Sequence, residues 1–172
     1  MIVSILYFIR SHPSKQSEVV QPHTERLLAQ LEYSSSRLNK LKEEDRCKQN
    51  ELDIKCLQLL RALIHNESVK IHPNLKNTKP QLYRDRCQSK VQPIQDSIQG
   101  MGNAVSRVLS LLAHPMASEE VVCEVLAFLK AMLYSGNHRV QEGMNNTREE
   151  TLVKIMGRLF QNATITFEEQ LV

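Results

Sequence analysis

The stretch "EVLAFLKAMLYSGNHRVQEGM", Glu124–Met144, decides the fold. Its first half is nearly all apolar. It breaks at Ser135-Gly136-Asn137 and resumes as a polar segment. Ser118 stands where a helix N-cap would, with Glu119 and Glu120 in the first turn, where the helix dipole favours acids. Val121, Val122, Val125, Leu126, Phe128, Leu129, Met132 and Leu133 then cover most of the helix circumference. A helix that is apolar almost all round is buried on several sides or lies in a membrane. This run is too short to span a bilayer and carries Glu124 and Lys130, so it reads as a helix buried in protein. Gly136 suits the left-handed residue that closes such a helix.

The rest of the chain agrees with a helical fold. Of its 172 residues, 41% are hydrophobic and 24% charged, which suits a packed core and not disorder. Glycine and proline are scarce, while Leu, Glu, Lys and Gln are abundant. The net charge of +3 is too balanced to argue for a nucleic-acid groove. Cys47, Cys56, Cys87 and Cys123 form no C-x-x-C pair and read as free thiols.

Upstream, the apolar run Ile2–Ile9 is too short for a membrane span and lacks the flanks of a signal peptide. It is expected to be the end of a core helix, Ile2–Arg10. From His23 to Lys42, Leu27, Leu31, Leu38 and Leu41 recur at helical spacing, with Leu28 and Tyr33 widening the stripe. Ser34–Ser36 weaken that helix. "NELDIKCLQLLRALIHNE" is the clearest amphipathic helix, with Leu52, Cys56, Leu59, Leu60 and Leu63 inward, Ile64 flanking and Asn50 as its N-cap. Residues 68–80 are expected to form an exposed loop. In the Gln-rich segment that follows, Leu82, Val91, Ile94 and Ile98 make a sparse stripe, and Pro93 kinks it or starts a new segment.

"AVSRVLSLLAHP" gives a short helix with Val105, Val108, Leu109 and Leu112 inward. After the opening block, Thr147 and Glu150 match a capping box for a last helix with Leu152, Ile155, Met156 and Leu159 inward. Helix-break-helix modules of this kind stack as an all-α solenoid, each hiding its apolar face on the next. A bundle would show a more regular two-sided pattern and similar helix lengths.

No catalytic constellation is visible. The histidines sit in no H-E-x-x-H, and no P-loop, G-x-S-x-G or G-x-G-x-x-G occurs. Acid pairs such as Glu119-Glu120 lie at helix ends, where capping accounts for them. Arg84, Arg86 and Lys90 form a basic face that could meet an acidic partner helix or an anionic headgroup, although a solvated face is the simpler reading. The sequons at Asn66, Asn145 and Asn162 matter only in a secretory lumen. The chain is thus expected to be no enzyme and to hold no cofactor or metal.

The order of elements between Asp45 and Thr166 resembles the central cytosolic region of inositol trisphosphate receptors, and more distantly of ryanodine receptors. "NELDIKCLQLLRALIHNE", "VQPIQDSIQGMGNAVSRVLSLLAHP", the opening block and "NTREETLVKIMGRLFQNATITFEE" carry the likeness. Within that block, Glu124, Leu129, Leu133, Gly136, Asn137, Val140 and Gln141 match the family pattern, although its Gly-Gly-Asn turn is Ser-Gly-Asn here. The resemblance implies an armadillo-like α-solenoid over 45–172, with 1–44 as N-terminal helices at its edge and a loop at 68–80. It further implies a non-catalytic segment of a ligand-gated calcium-release channel, coupling ligand binding to gating. Expected partners are the other domains and subunits of a tetrameric channel, and regulatory proteins. The segment would lie on the cytosolic face of the endoplasmic reticulum, with no membrane insertion and no nucleic acid of its own. The alternative is a free-standing armadillo-like interaction adaptor in the cytosol.

Overall fold

The computed structural model describes residues 16–101, 103–146 and 153–157. Every regular element among them is helical. Helix α1 is Gln16–Arg37, followed by a 3₁₀ turn at Leu38–Lys40. Next come α2 (Glu43–Ser68), a single turn α3 (Leu75–Thr78), α4 (Pro80–Lys90) and α5 (Gln92–Gly100). They are followed by α6 (Ala104–Leu112), α7 (Glu119–Met132) and α8 (His138–Asn145). Residues 153–157 are helical as well. The apolar helix expected at Ile2–Arg10, the capping box at Thr147 and Glu150, and Leu152 and Leu159 lie outside the described residues.

The core forms where four helices meet in a ring. α1 packs on α2 and α6, and α7 packs on α2 and α6. The α2–α7 seam is the most extensive. These two helices run parallel. Arg46 near the start of α2 meets Met116 just before α7. Further along, Gln58 and Arg61 meet Glu124, and Ser68 and Tyr134 line the same cleft at the other end. α5 and α8 close one side, packing on each other and on α6. The boundary expected at residue 44 falls in the first turn of α2.

The opening block behaves largely as its residues require. Ser118 Oγ accepts from the Val121 N–H at 3.3 Å, and Glu119 and Glu120 occupy the first turn of α7. Val121, Val125, Phe128 and Met132 are fully buried, and Val122 and Leu129 nearly so. The helix is not apolar on every side, however. Leu126 is 41% exposed, and Cys123 and Lys130 lie on the same outer side. Inward residues of α6 are as expected, with Ala104 and Leu111 added.

Elsewhere the structure corrects the sequence reading. α2 begins at Glu43, so Asn50 is an interior residue and Glu43, Glu44 and Asp45 fill the first turn. Its buried face is Asp53, Cys56, Leu57, Leu60 and Ile64, rotated from the expected stripe, and Leu52 is 44% exposed. α1 continues through the serine triplet. Ser35 and Ser36 donate to carbonyls one turn back, which keeps their hydroxyls inside the helix's own bonding pattern. Tyr33 faces solvent with the Arg37 guanidinium stacked 5.2 Å from its ring centre. In the stretch 68–80, Ile71 is buried and α3 forms a turn, so this is an anchored connection and not a free loop. Pro93 stands in the first turn of α5, where its missing N–H costs nothing. On α4, Cys87 is buried in place of the expected Leu82. Ile155 is buried, but Met156 is exposed.

A candidate interhelical coupling site

The block Glu124–Gln141 contains a helix end, a turn and a helix start, and such junctions leave backbone groups to be satisfied. α7 ends at Met132, and Ser135 (φ +69) and Gly136 (φ +74) both adopt the left-handed conformation. Gly136 does so without strain, and its N–H donates to the Leu133 carbonyl at 3.0 Å. The chain then enters α8 through Asn137, whose Oδ1 accepts from the Val140 N–H at 3.1 Å. This is an N-cap in the ordinary sense.

Asn137 does more than cap. It is 2% exposed, and its Nδ2 donates to Gln95 Oε1 at 3.1 Å and to Asp96 Oδ1 at 2.9 Å. Gln95, fully buried on α5, in turn donates through Nε2 to the carbonyls of Ala131 (2.9 Å) and Tyr134 (3.0 Å). Those carbonyls belong to the last turn of α7 and the residues beyond it, where regular i→i−4 donors run out; the Ala131 carbonyl otherwise receives a long bond from the Tyr134 N–H at 3.3 Å. Two buried amides thus satisfy the end of one helix and the start of the next, and tie both to a third. One turn further along α5, Gln99 accepts from the Val105 N–H and donates to Asn103 Oδ1. α8 approaches it so closely that a Cβ on Gly143 would stand 2.2 Å from Gln99 Nε2.

A second seam involves Glu124, whose side chain is 19% exposed. Its Oε1 accepts from Gln58 Nε2 at 3.1 Å, and its Oε2 lies 3.3 Å from the Arg61 guanidinium. Oε2 is buried without a hydrogen bond, while Arg61 Nη2 donates a long one to Oε1 at 3.5 Å. Of the other expected residues, Leu129 and Val140 are buried, Leu133 is half-buried against the core, and Gln141 is exposed. Six of the seven therefore lie in the packing or the turn, and Gln141, exposed, does not.

A third cluster was not foreseen. Asp53 on α2 is fully buried against α1, where the Ser34 hydroxyl and Gln49 Nε2 donate to its carboxylate. Among the described residues no cation pairs with it. Burial pushes its pKa up to about 6, against the smaller opposing pull of the two hydrogen bonds. The neighbouring Cys56 thiol is pushed up to about 11 by burial, with the Asp53 charge adding to the effect. The available signal was positional: Asp53 sits three residues before Cys56 and four before Leu57, inside an apolar stripe. Gln95 sits likewise between Val91 and Ile98.

Replacing Asn137 with Ala is expected to cost about 2 kcal/mol, combining a lost cap with a stranded Gln95 Oε1. Chemical denaturation followed by circular dichroism measures it. A cost of a few tenths would show that the amide pair contributes no more than an exposed cap.

Among the described residues no group of three or more His, Cys, Asp or Glu is placed to hold a metal ion. No helix among them is long and apolar enough to cross a membrane. Comparison of the chain with protein-family models, with curated proteins and with solved structures finds no match in any of the three.

Proposed function

We propose that this chain is a non-catalytic helical scaffold that passes small rotations between stacked helix pairs. In the more specific form implied by its resemblance, it is a segment of the cytosolic regulatory solenoid of an inositol trisphosphate receptor. There it would lie between ligand-binding domains and pore on the cytosolic face of the endoplasmic reticulum. The observation that carries the reading is the Asn137–Gln95 pair. It joins α5, the end of α7 and the start of α8 through buried hydrogen bonds, so those elements cannot reorient independently without leaving polar groups unsatisfied.

The parallel course of α2 and α7 supports the solenoid. In an up-and-down bundle, neighbours in the ring run antiparallel, whereas stacked hairpins place equivalent helices side by side and parallel. The hairpins α1–α2 and α6–α7 fit the second pattern, with α3–α5 inserted between them. Coupling in such an arm is a bias on packed helix orientations.

The test exchanges this chain for the corresponding segment of a trisphosphate receptor. The chimera is expected to assemble as a tetramer and release calcium from permeabilised cells on addition of trisphosphate. Asn137→Ala in the chimera should shift the dose–response curve without abolishing assembly. A chimera that assembles as a tetramer but releases no calcium would overturn the channel reading and leave the adaptor.

A further inference from the structure

Where α2 and α7 run side by side, a cleft of about 600 Å³ opens to the surface. Small side chains line it: Ala62 on α2, and Ala127 and Ala131 on α7. Its polar lining includes the cationic Arg61 and Lys130 together with His65. Arg61 is engaged by Glu124, but Lys130 is exposed and neither it nor His65 has an acidic partner among the described residues. At one end stands Tyr134, whose hydroxyl meets that of Tyr83 on α4. At that end too, Ser68 leads the chain into the α3–α4 segment.

That segment is strongly basic. Lys70, Lys76, Lys79, Arg84, Arg86 and Lys90 face a single acid, Asp85, within residues 69–92. Their excess is larger than the net charge of +3 of the whole chain, so the positive charge is concentrated in this segment, which joins the cleft through Ser68 and the Tyr83–Tyr134 contact. All but Lys70, which pairs with Glu67, are without an ion pair among the described residues.

We propose that the α2/α7 cleft and the adjoining basic surface dock an acidic amphipathic segment of a partner protein. An alanine-lined trough accepts an apolar side chain, and the cations around it accept carboxylates. A ligand offering both at once is an amphipathic acidic peptide. A membrane surface is a poorer match. The apolar side chains of α4, Tyr83 and Cys87, are turned into the protein, which leaves only Leu82 to enter a lipid interface from that helix. The inference rests on the cleft and not on the channel reading, so a failed segment exchange leaves it standing.

Fluorescence anisotropy tests it, with the full chain titrated into a labelled helical peptide of about 16 residues, Leu on one face and Glu on the other. Saturable binding that weakens with added salt is expected. Lys130→Glu, at an exposed position, should weaken binding roughly tenfold by replacing an attraction with a repulsion. Ala131→Trp should block binding with the charge unchanged, and the same peptide with Lys for Glu should not bind. Absence of binding overturns the proposal, as does binding unaffected by Lys130→Glu. Tighter binding to phosphatidylserine vesicles or to a single-stranded oligonucleotide than to the acidic peptide overturns it as well.

Discussion

Phe128→Ala lowers the free energy of unfolding by about 3–5 kcal/mol, whereas Leu126→Ala, two residues earlier on the same helix, changes it by less than about 0.5 kcal/mol. The contrast follows from the seating of α7. Phe128 is fully buried and is the largest such side chain among the described residues. It lies on a helix that packs on both α2 and α6, so its removal forfeits transfer energy and leaves a cavity that rigid neighbours fill poorly. Leu126 is 41% exposed and gives up little. Since a domain holds about 5–15 kcal/mol in total, the first variant loses a large share of its stability. Urea denaturation followed by far-ultraviolet circular dichroism measures both. Equal losses at the two positions would mean that α7 is not seated with Phe128 inward.

The same contrast shows why parts of this fold can be read from its sequence and parts cannot. In α6 and α7 the apolar residues are so dense that any helical phase gives nearly the right buried set. The caps at Ser118 and Asn137 and the left-handed Gly136 are local effects, set by residues a few positions apart. α2 is different. Leucines at 52, 57, 59, 60 and 63 occupy two adjoining faces, and the face that is buried also carries Asp53. Apolar periodicity therefore chooses the face with Leu52, and tertiary packing chooses the other. What makes that choice tolerable is Ser34, on another helix, whose hydroxyl meets the buried carboxylate. Gln95 and Asn137 are likewise paired between two helices, 42 residues apart in the chain. A buried polar residue whose partner lies on a different helix leaves no periodic trace, and the Asp53 and Gln95 clusters are of that kind. The serines that weaken a helix in isolation illustrate the point in reverse. Ser34 is retained inside α1 because it satisfies Asp53.

Asp53→Asn should stabilise the protein by about 3 kcal/mol at pH 7.5 and by only about 0.5 kcal/mol at pH 4. Burial without a cation disfavours the ionised carboxylate, so the folded-state pKa stands at about 6 against an ordinary value of 3.8. Between those values the folded chain binds a proton that the unfolded chain has released. Stability therefore falls as pH rises through this window, and the cost is complete above about pH 7. Well below 3.8 both states are protonated and the group contributes no difference. An asparagine can still accept from one donor and present its own N–H₂ to the Ser34 oxygen, so it removes the charge and keeps the hydrogen bonds. Unfolding free energies of both proteins across pH 4–8 give the curve, and their difference isolates this one carboxyl from every other titrating group. A difference that stays flat with pH would mean that the Asp53 carboxylate is as well solvated in the folded protein as in the unfolded chain. That outcome would be incompatible with its burial between α1 and α2.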